Sequence, residues 1–125
     1  MRTTMLICSV ICLSGCGKAD PMLAGGKPVD QWVAALNDPD AKTRKTAALK
    51  LGNVGTADPH ALPALIAALD DRDAKVRTEV VLALVKFGHE AREAVPKLER
   101  IRRNDPNLKV RDYAGKLIEK LATSE

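Results

Sequence analysis

Val33-Ala-Ala-Leu-Asn-Asp-Pro-Asp-Ala-Lys-Thr-Arg44 returns at a shift of 33 as Ile66-Ala-Ala-Leu-Asp-Asp-Arg-Asp-Ala-Lys-Val-Arg77. Gly55 maps to Gly88 and Pro63 to Pro96 at the same shift. A third copy, Asn104-Asp-Pro-Asn-Leu-Lys-Val-Arg111, repeats the Asp-x-x-x-Lys-x-Arg pattern one residue late, at a shift of 34. A period of this length marks a chain built from stacked supersecondary units, each unable to bury its apolar face alone.

Within each unit the apolar spacing is helical. Trp32/Leu36, Leu65/Leu69 and Leu98/Ile101 outline a first helix. Ala47/Ala48/Leu51/Val54, Val80/Val81/Leu84/Phe87 and Ala114/Gly115/Ile118/Leu121 outline a second, at i, i+1, i+4 and i+7. Asp40, Asp73 and Asn107 stand where an N-cap of the second helix is needed. Gly55 and Gly88 stand where a left-handed C-cap would end it. The spacing predicts helices near 28–37, 41–54, 59–70, 74–87, 90–103 and 108–122. Pro63 and Pro96 fall early in the third and fifth of these, where a first turn tolerates a missing donor. Trp32, Phe87 and Tyr113 are the only aromatics, so the core is a Leu, Ala, Val and Ile core suited to close helix packing. The expected fold class is all-α: an α-solenoid of about three helical hairpins.

Asp-Pro-Asp-x-x-x-Arg-x-x-Ala-Ala-x-x-Leu-Gly-x-x-Gly, from Asp38 to Gly55, resembles the HEAT repeat. The form is the short one found in HEAT-like proteins related to phycobilisome lyases. His60-Ala-Leu-Pro-Ala-Leu-Ile-Ala-Ala-Leu-Asp-Asp71 is similar to the same group. The resemblance extends from residue 28 to about 122, with repeats near 28–58, 59–89 and 90–122. The third copy departs from it, with Gly115-Lys116-Leu117 in place of Ala-x-x-Leu, which suits an end repeat facing solvent on one side. The resemblance implies an alternating ladder along one edge of the stack, made of Asp38, Asp71 and Asp105 with Arg44, Arg77 and Arg111. The expected role of that ladder is turn bracing and mutual neutralisation rather than ligand binding.

The resemblance also places the second helices on a concave side. Their outward positions would be Lys45, Leu49 and Gly52, then Thr78, Leu82 and Val85, then Asp112, Lys116 and Glu119. Leu82 and Val85 would form an apolar centre with a polar rim, the composition of a partner site. The competing reading covers them with Leu49 and the long stem of Lys116.

The amino terminus carries an address. Arg2 precedes the apolar run Met5-Leu6-Ile7-Cys8-Ser9-Val10-Ile11-Cys12, which is too short to span a bilayer and reads as an export signal. Leu13-Ser14-Gly15-Cys16 resembles the bacterial lipobox at every position. That resemblance implies a signal peptide over 1–15, diacylglyceryl attachment to Cys16, and a lipid anchor in the cell envelope. Gly17, where an Asp would imply inner-membrane retention in some bacteria, leans towards the outer membrane. Residues 16–27 then form the lipidated Cys and a tether with a reach of roughly 17 Å. Residues 28–125 form the repeat domain.

Chemistry has little to stand on. Cys8 and Cys12 leave with the signal and Cys16 is consumed as a thioether, so the domain holds no thiol for catalysis, metal or disulfides. His60 and His89 are 29 apart, out of phase with the repeat. The His89-Glu90 pair resembles the pairs of deoxyhypusine hydroxylases, but that class needs several to hold two irons. Bilin-lyase chemistry is carried by larger arrays. The expectation is a non-catalytic protein-binding adaptor, with no cofactor, no metal and no small-molecule substrate. Its partner would be another protein of the envelope. The mature charge of +3, from 19 basic and 16 acidic residues, together with export, argues against nucleic acid. The alternatives are a HEAT-like metal- or cofactor-dependent enzyme using His60, His89 and Glu90, and a structural self-associating module.

Overall fold

A computed structural model of the chain describes residues 23–24 and 26–124. Cys16 and the stretches read as a lipobox and an export signal lie outside the described residues.

Six α-helices follow one another among the described residues: α1 (Val29–Ala35), α2 (Ala41–Val54), α3 (Ala61–Ala68), α4 (Ala74–Val85), α5 (Val95–Asn104) and α6 (Leu108–Thr123). They form three consecutive hairpins, α1/α2, α3/α4 and α5/α6. The second helices make the continuous layer, α2 packing along α4 and α4 along α6. The result is an all-α solenoid.

Each second helix begins by the same local chemistry. Asp40 accepts a hydrogen bond from the Lys42 N–H at 3.2 Å. Asp73 accepts from Lys75 at 2.7 Å and Val76 at 3.2 Å. Asn107 accepts from Lys109 at 3.0 Å and Val110 at 3.2 Å. Each cap satisfies amide donors that the first turn leaves open. At the other end Gly55, with φ of 59°, directly follows α2, whereas α4 ends at Val85 and Gly88, with φ of 58°, opens the 3₁₀ stretch beyond it; a side chain would strain either. Gly55 departs from a left-handed helical cap, however, because its ψ is −139°.

α1, α3 and α4 each end two residues before the sequence reading has them, and two starts also differ, which proline explains. α3 starts at Ala61 and α5 at Val95, not at 59 and 90. A helix running from residue 90 would carry Pro96 in its second turn, where the ring clashes with a carbonyl and a donor is lost. The chain instead winds as a 3₁₀ helix over Gly88–Ala94, leaving Pro96 in the first α-helical turn. Gly55–Ala57 is likewise 3₁₀ ahead of α3. The end of the stretch read as tether also has structure. β1 (Leu23–Ala24) pairs antiparallel with β2 (Lys27–Pro28) and lies against α1 and α2. The Lys27 ammonium sits 4.9 Å from the centre of the Trp32 ring.

The core runs without a break from Val29 and Trp32 through Leu51, Leu65, Val80 and Leu84 to Leu98, Val110 and Leu121. Close approach of α2 and α4 depends on Gly52. A β-carbon there would stand 2.7 Å from the Ala83 β-carbon.

Candidate functional site

The row of acids and arginines binds one hairpin to the next. Arg44 grips Asp71 with two parallel bonds, Nε to Oδ2 at 2.8 Å and Nη2 to Oδ1 at 3.2 Å. Arg77 grips Asp105 in the same way, at 2.8 and 3.0 Å. The remaining Nη1 of each arginine donates to its own turn, to the carbonyls of Asp38 and Pro39 for Arg44 and of Asp71 for Arg77. Asp38, Asp71 and Asp105 each accept the amide two residues on, from Asp40, Asp73 and Asn107. Each Asp therefore shapes its own turn and, in the second and third hairpins, receives the fork of the hairpin before it. Arg44, Arg77 and Asp105 are buried, so the pairs exist at low dielectric with their bonds satisfied. The hydrogen bonds to Asp71 raise the Arg44 pKa further above its ordinary value, against the opposing effect of burial. Among the described residues no hairpin follows that of Arg111 and no ion pair forms on it. The two pairs between hairpins present no free group to a ligand.

The open chemistry lies on the second-helix layer. A recess of about 520 Å³ runs across it, lined by Lys45 of α2, by Lys75, Thr78, Glu79 and Leu82 of α4, and by Lys109 and Tyr113 of α6. Leu82 is 40% exposed and Leu49, one hairpin earlier, is 42% exposed. Among the described residues the only other exposed large apolar side chain is Leu108, at the start of α6. Leu82 is thus not covered by its neighbours.

Of the outward positions read from the sequence, Lys45, Thr78 and Leu82 line the recess and Leu49 lies exposed outside it. Val85 does not belong to the open face. It is partly buried against the core. At 3.6 residues per turn it lies about 40° from the buried Val81 and about 60° from Leu82. Gly52 is also misplaced by that reading: it is buried, about 40° from Ala48, on the seam facing Ala83. Asp112 and Lys116 are exposed on α6 and pair with each other at 2.8 Å, outside the recess, and Glu119 is exposed beyond them. The hydrogen bond to Asp112 raises the Lys116 pKa above its ordinary value.

The sequence reading did not include Lys75, Glu79, Lys109 and Tyr113. A signal for two of them was present. Lys42, Lys75 and Lys109 follow their caps at the same place in every repeat.

His60 is exposed, with Nδ1 3.0 Å from Asp58 Oδ1, and His89 and Glu90 are exposed in the 3₁₀ stretch after α4. No group of three His, Cys, Asp or Glu side chains able to hold a metal occurs among the described residues. No helix among them is long and apolar enough to cross a membrane.

No curated protein matches the chain. The family model for HEAT repeats matches residues 29–119, from the first residue of α1 into the last turns of α6. With that span, three stacked hairpins and a second-helix layer bearing the recess, the chain belongs to the HEAT-repeat family.

Proposed function

We propose that this protein is a non-catalytic scaffold that binds a partner protein across α2, α4 and α6 while a lipid on Cys16 holds it at the cell envelope. The observation that carries the binding reading is Leu82. It lies 40% exposed in the middle of the central hairpin, in a recess rimmed by charge, and among the described residues the only other exposed large apolar side chains are Leu49 and Leu108. An apolar centre inside a polar rim excludes water from the contact and gives a partner its orientation. HEAT-repeat proteins commonly serve as interaction scaffolds, which supports the same assignment. The anchoring reading rests on Leu13-Ser14-Gly15-Cys16 behind a short apolar run.

Two experiments test it. A photo-crosslinking residue placed at 82 in intact envelopes is expected to give protein adducts that a probe at Arg100, on α5, does not. The adducts should weaken in a Leu49→Asp background. Equal adducts from both positions, or none from 82, would remove the binding face. Fatty-acid labelling is expected in the wild type and not in Cys16→Ser, and label retained in the variant would remove the anchor.

A further inference from the structure

The cations around the recess are not balanced locally. Lys45, Lys75 and Lys109 stand there, one from each hairpin, and Glu79 is the one acid in the lining. None of the three lysines takes part in an ion pair among the described residues. The basic side chains of α5 are different. Lys97 and Arg100 meet Asp70, and Arg102 and Arg103 meet Glu99. On α6, Lys116 meets Asp112. Three lysines, one from each hairpin, therefore converge on the recess with a single acid among them, beside the apolar surfaces of Leu82 and Tyr113, the Lys109 ammonium standing 5.8 Å from the Tyr113 ring centre.

We infer that the recess receives an acidic segment of the partner protein, with one apolar side chain against Leu82 and Tyr113 and carboxylates over Lys45, Lys75 and Lys109. This rests on the protein-binding reading above and specifies the partner's chemistry. Packed helices lie about 8–10 Å apart, so a chain crossing them as a polyproline II helix, at about 3.1 Å per residue and three residues per turn, turns the same face to a new lysine roughly every third residue. An acid at every third position with an apolar residue between two of them matches the site in charge and in spacing. A bilayer surface matches it less well, because the apolar contact lies inside a recess between helices that a flat array of head groups does not enter.

The test uses the full chain in detergent micelles and a labelled peptide of about 12 residues with Glu at every third position and one central Leu, read by fluorescence anisotropy. Binding is expected to weaken at least about tenfold in Lys45→Glu/Lys75→Glu/Lys109→Glu, and to fall as salt rises from about 50 to 300 mM. It should not change in Arg100→Glu/Arg103→Glu, and a peptide with Lys in place of Glu should not bind. An unchanged thermal midpoint in each variant shows that the fold is retained. No binding of the acidic peptide, or equal binding by the triple variant, overturns the proposal. So does preferential capture of phosphatidylglycerol vesicles or of a single-stranded oligonucleotide through the same three lysines. If the peptide fails while position 82 still yields protein adducts in envelopes, the acidic chemistry is wrong and the scaffold reading stands. If the adducts fail too, both fall.

Discussion

Gly52 of α2 and Ala83 of α4 meet so closely that a β-carbon on Gly52 would stand 2.7 Å from the Ala83 β-carbon and 3.0 Å from its α-carbon. In an exposed helix interior, replacing Gly by Ala stabilises by about 1 kcal/mol. Here the sign should reverse, because the obstruction includes backbone and α2 must move off α4. Gly52→Ala is expected to destabilise by about 1–3 kcal/mol in chemical denaturation. Adding Ala83→Gly should recover part of the loss, since it removes the opposing methyl. A stabilised Gly52→Ala variant would mean that the two helices are not held at this distance.

The ladder predicts unequal consequences for arginines that look equivalent in sequence. Arg77→Ala strands the Asp105 carboxylate, which is buried, without its two guanidinium bonds. Breaking a buried pair from one side costs about 3–5 kcal/mol, a large part of what so small a stack has. Arg111→Ala removes no ion pair among the described residues and should change stability by no more than about 0.5 kcal/mol. Similar unfolding midpoints for the two variants would show that the pairs between hairpins carry little of the fold.

Leu84 and Leu82 separate fold from surface within one helix. Leu84 is 0% exposed and central to the middle hairpin. Leu84→Ala is expected to cost about 2–5 kcal/mol, through lost burial and the cavity left behind. Leu82→Ala, on the open side, should leave the thermal midpoint within a degree or two while reducing partner adducts in envelopes. Comparable thermal losses in both would place Leu82 in the core.

These contrasts mark what was legible in the sequence. The repeat, the six helices and the caps at Asp40, Asp73 and Asn107 depend on periodicity and on hydrogen bonds within three residues, and both are written locally. The ladder was legible through the family pattern, because its spacing survives the one-residue insertion before Arg111. The face was only partly legible. Tracing the outward row by a step of four and then one of three leaves its last residue about 60° round the helix from the one before it, which in α2 and α4 is the core side, so Gly52 and Val85 were placed on the wrong side. Nothing within α2 announces that Ala83 sits against Gly52, since that distance is set by how two helices pack. The starts of α3 and α5 were misjudged for a related reason. Proline bars one arrangement, and the 3₁₀ winding that replaces it depends on where the neighbouring hairpins hold the chain.

Acid should loosen the solenoid partly through Asp73. Its carboxylate accepts the N–H groups of Lys75 and Val76, and those bonds hold its pKa below the ordinary value of 3.8. A carboxyl whose pKa is depressed in the folded chain contributes stability above its unfolded pKa. That contribution is lost as pH falls through the folded value. Asp73→Asn keeps a cap, as Asn107 shows at the third hairpin, but removes the titrating group. The variant should therefore melt below the wild type near neutral pH, with the gap closing as pH falls below about 4. Thermal scans of both proteins from about pH 7 to pH 2 check this. A gap that stays constant across that range would show that Asp73 contributes as a hydrogen-bond acceptor alone, with no part in the acid response.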